Sequence, residues 1–154
     1  YRPGEKMLIL LLTIVTAQAD ELYKKYNWET YPVIEICPES NISVKEVQIA
    51  MDYWELEVDF DYAGIKKVSN CSSKKENTIQ ITDGKKVSGN ALANTAVHTY
   101  TWSDQLNKHY VDYALISIPV DPKYPDYQQT LITHEMGHAI GYGHSHHEIM
   151  KPSK

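Results

Sequence analysis

The sequence predicts one α+β domain, five strands and two helices, over residues 20–154. Three observations carry that prediction. A capping box and an apolar stripe mark a helix between two β-rich segments. Three further segments read as strands, two of them by clear alternation. The last long segment carries a metal-ligand spacing that only a helix brings onto one face. The 154 residues, 42% apolar and 23% charged, suit one globular domain, and the seven Gly and seven Pro are too scattered to mark a linker. A net charge of −5 without a basic stripe argues against a nucleic-acid partner.

Residues 1–19 read as a secretory signal peptide and are set apart from the fold. Arg2 and Lys6 precede an apolar run from Met7 to Ala17, and Ala17-Gln18-Ala19 supplies a small-x-small cleavage site. The run falls short of the ~20 apolar residues that span a bilayer. The protein is therefore expected to be secreted or extracytoplasmic, with no stable membrane span after cleavage. The competing reading is an uncleaved anchor or a buried N-terminal helix. Met7 is an alternative start, which would leave the export argument on the apolar run and the cleavage site.

Residues 31–37 alternate and are β-rich, residues 59–68 suit a second strand, and the helix between them makes a βαβ unit with parallel strands. That helix opens at Ser43 with Glu46 three residues on, and Val44, Val47, Met51, Trp54 and Val58 form its stripe. Cys37 and Cys71 are the only cysteines and fall at the C-terminal ends of the two strands. In an oxidising compartment they are expected to pair; two reduced thiols are the alternative. Asn41-Ile42-Ser43 and Asn70-Cys71-Ser72 match the glycosylation triplet, but caps and turns account for both.

Residues 77–83 form a short alternating strand closed at Asp83-Gly84. Residues 91–101 are rich in small side chains and suit an edge strand. Residues 113–120 put Ala114, Ile116, Ile118 and Val120 on one face, with Pro119 and Pro122 at the end. A Pro-rich turn follows, and Tyr127 or Gln128 is expected to open the last helix.

That helix carries His134-Glu135-Met136-Gly137-His138, and Gly141 and His144 follow. Four residues apart on one face, His134 and His138 offer two imidazoles to one metal ion, and Glu135 stands beside them to hold a water. A left-handed residue at Gly141 would end the helix and bring His144 back as third ligand. Three protein ligands leave one position open, the mark of a catalytic rather than a structural zinc. Neutral imidazoles leave such an ion its full charge, so bound water would be acidic near neutral pH and Glu135 would act as general base. One catalytic Zn2+ is the expected cofactor; nothing in the sequence indicates calcium.

The extended pattern HExxHxxGxxH resembles the metzincin clan of zinc peptidases. Met150 is placed to be the methionine turn of that clan, and Pro152 two residues later is similar to the matrixin subgroup. The resemblance of pattern extends over residues 31–152. It implies a metzincin-like (zincin) fold: a twisted, mostly parallel five-stranded sheet with one backing helix, one zinc-binding helix and an antiparallel fourth strand at the edge. It also implies that this edge borders the cleft and pairs with an extended protein or peptide substrate, through Ala91, Leu92, Ala93, Asn94, Thr95 and Ala96. A monomer is expected.

Other histidines are weighed against this set. His146 and His147 are read as exposed loop residues rather than substitutes for His144. His98 and His109 are read as ordinary histidines, since their spacing does not match the second zinc site of matrixins. Glu148 follows the helix too closely to be a distant ligand. Met150 follows His144 by only six residues, and the few residues after it imply a truncated C-terminal subdomain and loose specificity. No prodomain with a zinc-capping cysteine is expected between Ala19 and Tyr31.

The sequence thus points to a secreted zinc endopeptidase. The alternatives are a non-catalytic zinc-containing peptide-binding module and a metal scavenger built on His144, His146 and His147. Glu135 weighs against scavenging, which needs no base.

Overall fold

A computed structural model describes residues 21–71, 75–84, 92–100, 109–119 and 125–152. The expected signal peptide, Ala91, Val120 and Pro122 lie outside the described residues. In chain order the elements are β1 (Tyr23–Lys24), β2 (Val33–Ile36), α1 (Val44–Val58), β3 (Gly64–Lys67), β4 (Thr78–Thr82), β5 (Asn94–Tyr100), β6 (Tyr110–Ser117), α2 (Pro125–Ile140), β7 (Tyr142–Gly143) and a 3-10 turn (Glu148–Met150).

Five strands form one sheet in the order β3-β2-β4-β6-β5. The first four run parallel, and β5 lies antiparallel to β6 at the edge. The register aligns Ile34, Ile36, Ile79, Ile81, Ala114 and Ile116 on one face, where both helices join them in a single core. All five residues of β4 are buried, as a central parallel strand requires. On the opposite face of β2, the buried Glu35 carboxylate accepts from Lys75 Nζ at 2.8 Å and Gln80 Nε2 at 3.4 Å.

The capping box forms as predicted. Ser43 Oγ accepts from Glu46 N–H at 3.2 Å, and Glu46 Oε1 accepts from Ser43 N–H at 3.0 Å. Val47, Ala50, Met51 and Trp54 are buried, and the Trp54 indole donates to the Thr133 carbonyl of α2 at 2.8 Å. Asp59 ends α1 in the left-handed region at φ 55°, its N–H donating to Glu55 O at 2.9 Å. That turn consumes residues expected to be extended, so β3 starts only at Gly64. Pro125 opens α2 two residues before the expected start, because its fixed φ suits the first helical position and no N–H is needed there. β6 begins at Tyr110 rather than 113, paired across to Tyr100 and continued by Val111 N–H donating to Asn27 O at 2.7 Å.

Cys37 and Cys71 form a disulfide across the ends of β2 and β3, with Cα atoms 5.5 Å apart. No helix among the described residues is long and apolar enough to cross a membrane.

Residues 23–28 carry structure that periodicity does not reveal. β1 pairs antiparallel with β7, Lys25 and Tyr26 N–H both donate to Gly141 O at 2.7 and 2.9 Å, and the Trp28 indole donates to Ala139 O at 2.8 Å. This segment clasps the C-terminal end of α2.

Candidate metal centre

α2 sets His134 and His138 one turn apart on the face away from the core. Each ring is fixed through Nδ1: His134 donates to Ile149 O at 2.6 Å and His138 to Tyr142 O at 2.9 Å. A carbonyl oxygen only accepts, so Nδ1 carries a proton in both rings and Nε2 is the nitrogen turned outward.

Gly141 directs the return of the chain. Its φ of 122° suits glycine alone, and a Cβ there would collide with the Tyr26 carbonyl oxygen. After this turn His144 Nε2 comes to 3.2 Å from His138 Nε2, which in turn lies 3.1 Å from His134 Nε2. With both Nδ1 atoms engaged by carbonyls, the shorter approach turns two Nε2 atoms toward each other, and a cation shared between the rings would be coordinated by both. The three ligand atoms lie within 4.8 Å of one another. A tetrahedral ion with metal–nitrogen bonds of ~2.0–2.1 Å would separate its nitrogens by about 3.4 Å, so the cluster fits a metal ion after small movements. Three imidazoles suit first-row transition ions rather than hard, oxygen-seeking ones.

Burial, opposed by the Tyr142 carbonyl and reinforced by the charges of His134, His144 and Lys25, pushes the pKa of His138 down to about 4. Burial and the neighbouring His134 lower that of the more exposed His144. Both rings are therefore neutral, and able to ligate, at pH 7.

Met150 is fully buried in the core against α2. Its thioether lies where Gly137 leaves room: a Cβ on Gly137 would stand 2.5 Å from Met150 Sδ and 2.5 Å from Trp54 Cζ2. Ser145 N–H donates to Met150 O at 3.1 Å and Met150 N–H to His147 O at 3.0 Å, which closes the short connection after His144. His147, expected in an exposed loop, is instead buried. Its Nδ1 accepts from Ile149 N–H at 3.3 Å, and its Nε2 lies 3.5 Å from Glu57 Oε2. The ring caps the turn that presents the carbonyl holding His134. His146 and Glu148 are exposed, and His98 stacks on Tyr113 beside Asp112, away from the cluster.

Glu135 is buried next to the ligands. Its Oε2 lies 3.9 Å from His134 Nε2, and its Oε1 accepts from the Thr95 hydroxyl at 2.9 Å. Burial raises its pKa, against the opposing effects of the Thr95 donor and His134. A cleft of about 460 Å³ opens over these groups. Ala93, Asn94, Thr95 and Val97 line one wall; Lys25 and Tyr26 line the other. Of the residues expected to contact substrate, Ala93, Asn94 and Thr95 thus face the cleft. Leu92 and Ala96 lie outside its lining, and Ala91 lies outside the described residues. Ala93 precedes β5, which starts at Asn94. Val97, Lys25 and Tyr26 extend the expected set: Val97 follows from the two-residue alternation of β5, whereas nothing local marks the other two.

No protein-family model matches this sequence, and no curated protein is significantly similar to it. The three-imidazole cluster therefore stands on its own geometry, as a group able to hold a metal ion beside a buried carboxylate.

Proposed function

We propose that the protein is a secreted zinc endopeptidase of metzincin type, matrixin-like in its methionine turn. The observation that carries the proposal is the convergence of three imidazole nitrogens within 4.8 Å beside the buried Glu135 carboxylate. His134, His138 and His144 would hold the ion. Zinc in that position supplies a Lewis acid that acidifies water and polarises a carbonyl.

The remaining chemistry falls to the chain itself. Glu135 Oε2 faces the cluster and accepts the proton of the attacking water, then returns it to the leaving amine. β5 pairs with β6 along one edge and borders the cleft with Asn94, Thr95 and Val97, so an extended peptide can add as a further strand. The disulfide supports folding in an oxidising compartment, consistent with the signal-like residues 1–19.

The test is peptide cleavage by purified protein with zinc content determined on the same sample. We expect one zinc per chain and turnover that Glu135→Gln reduces about 10²–10⁴-fold without loss of metal. Zinc without turnover on a diverse peptide pool would refute the peptidase and favour a peptide-binding module.

A further inference from the structure

We propose that Thr95 is a positioning residue for Glu135, and that the strand receiving substrate thereby also orients the base. The inference rests on the peptidase reading for its consequence, but its geometry stands apart from that reading. Thr95 Oγ1 lies 2.9 Å from Glu135 Oε1 and 3.2 Å from Glu135 O, so its single proton is directed at Glu135 in either arrangement. Among the described residues Thr95 is the one hydrogen-bond donor to that buried carboxylate.

The two carboxylate oxygens are thus distinguished. Oε1 is held by Thr95, while Oε2 is turned toward His134 Nε2 at 3.9 Å. Without the hydroxyl, rotation about the last side-chain torsion would let either oxygen, or neither, face the cluster. A threonine holds its hydroxyl firmly here, because β-branching restricts χ1 and the backbone is fixed in the ladder opposite Ile116. Glu135 lies 40 residues further along the chain, on another element, so this contact ties the cleft wall to the helix. A peptide adding to β5 would press on the residue that holds the base in place.

Thr95→Val keeps the shape and removes the donor, Thr95→Ser restores the donor, and Thr95→Ala repeats the loss without branching. In the zinc-loaded protein we expect Val and Ala to lower kcat about 10–100-fold, with KM and zinc content near wild type, and Ser to recover most of the loss. Glutamate labelled with 13C at the side-chain carboxyl provides a second readout, with the Glu135 resonance assigned by its loss in Glu135→Gln. That resonance should move in Val and Ala and return in Ser. An unmoved resonance, or Ser behaving like Val in both measurements, would overturn the proposal. If wild-type protein cleaves no peptide, the peptidase reading fails by itself, and the carboxyl resonance alone decides whether Thr95 holds Glu135.

Discussion

Helices α1 and α2 share one core and touch each other, but their buried positions hold different chemistry. α1 buries Val47, Ala50, Met51 and Trp54, all largely apolar. α2 buries Ile132, Met136, Ala139 and Ile140, and with them Gln128, Thr133, His134 and Glu135. Each of those polar groups has a partner on another turn or another element. Gln128 donates to Glu46 of α1 at 2.9 Å, Thr133 to Gln129 O at 2.9 Å, His134 to Ile149 O, and Glu135 accepts from β5. Among the described residues no buried side-chain nitrogen or oxygen lacks a partner. α1 is held by buried area, which tolerates substitution in proportion to volume lost. α2 adds directional contacts to its buried apolar residues, so substitutions at its polar positions fall first on the site.

The sharpest break in that contrast is His138→Ala. Metal affinity should fall more than about 100-fold, beyond the loss from an outer partner, while the circular dichroism of the fold stays near wild type. Equal loss of structure and metal would show that α2 is no different in kind from α1. Met150→Ala comes next. Removing a fully buried side chain between Gly137 and Trp54 should cost about 2–5 kcal/mol in chemical denaturation and loosen metal binding as well, because the neighbouring Ile149 carbonyl holds His134.

Acid should act on α2 in the same direction. His138 has a folded pKa of about 4, below the ~6.5 of an unfolded histidine, so the unfolded chain takes up its proton first. The contribution of neutral His138 to stability of the metal-free protein is complete above pH ~6.5 and is lost as pH falls toward 4. Denaturation midpoints across that range should show the decline, and His138→Gln should flatten it. The smallest effect is expected in α1: Ser43→Ala removes half of the capping box, at about 1 kcal/mol of stability, and leaves metal affinity unchanged.

The same contrast explains what is legible in the sequence. α1 is visible through its capping box and stripe, both local signals. The candidate ligands His134, His138 and His144, with Gly141, are visible through spacing, which a helix converts directly into geometry. The role of Gly137 is not, because the need for a missing Cβ exists only once Met150 and Trp54 meet above it. His147 reads as loop because burial of an isolated polar ring has no periodic signature; it depends on Glu57 and the turn at Ile149. β1 and β7, two residues each, are too short to alternate. β3 reads as longer than it is because Phe60 and Tyr62 favour strands locally, whereas the left-handed Asp59 terminates α1 and leaves only residues 64–67 for the ladder.

The clasp between residues 23–28 and the end of α2 has a further consequence for the timing of assembly. Trp28 and Ala139 stand 111 residues apart in sequence, so their contact closes nearly the whole described chain into a loop. Contacts of such range are slow to form and cannot exist on a nascent chain that has not yet extended past α2. His134 waits still longer, for the carbonyl of Ile149. The cleft therefore cannot be complete until the chain has extended past Ile149, and a chain interrupted before α2 carries the edge strand without the groups that stand beside it.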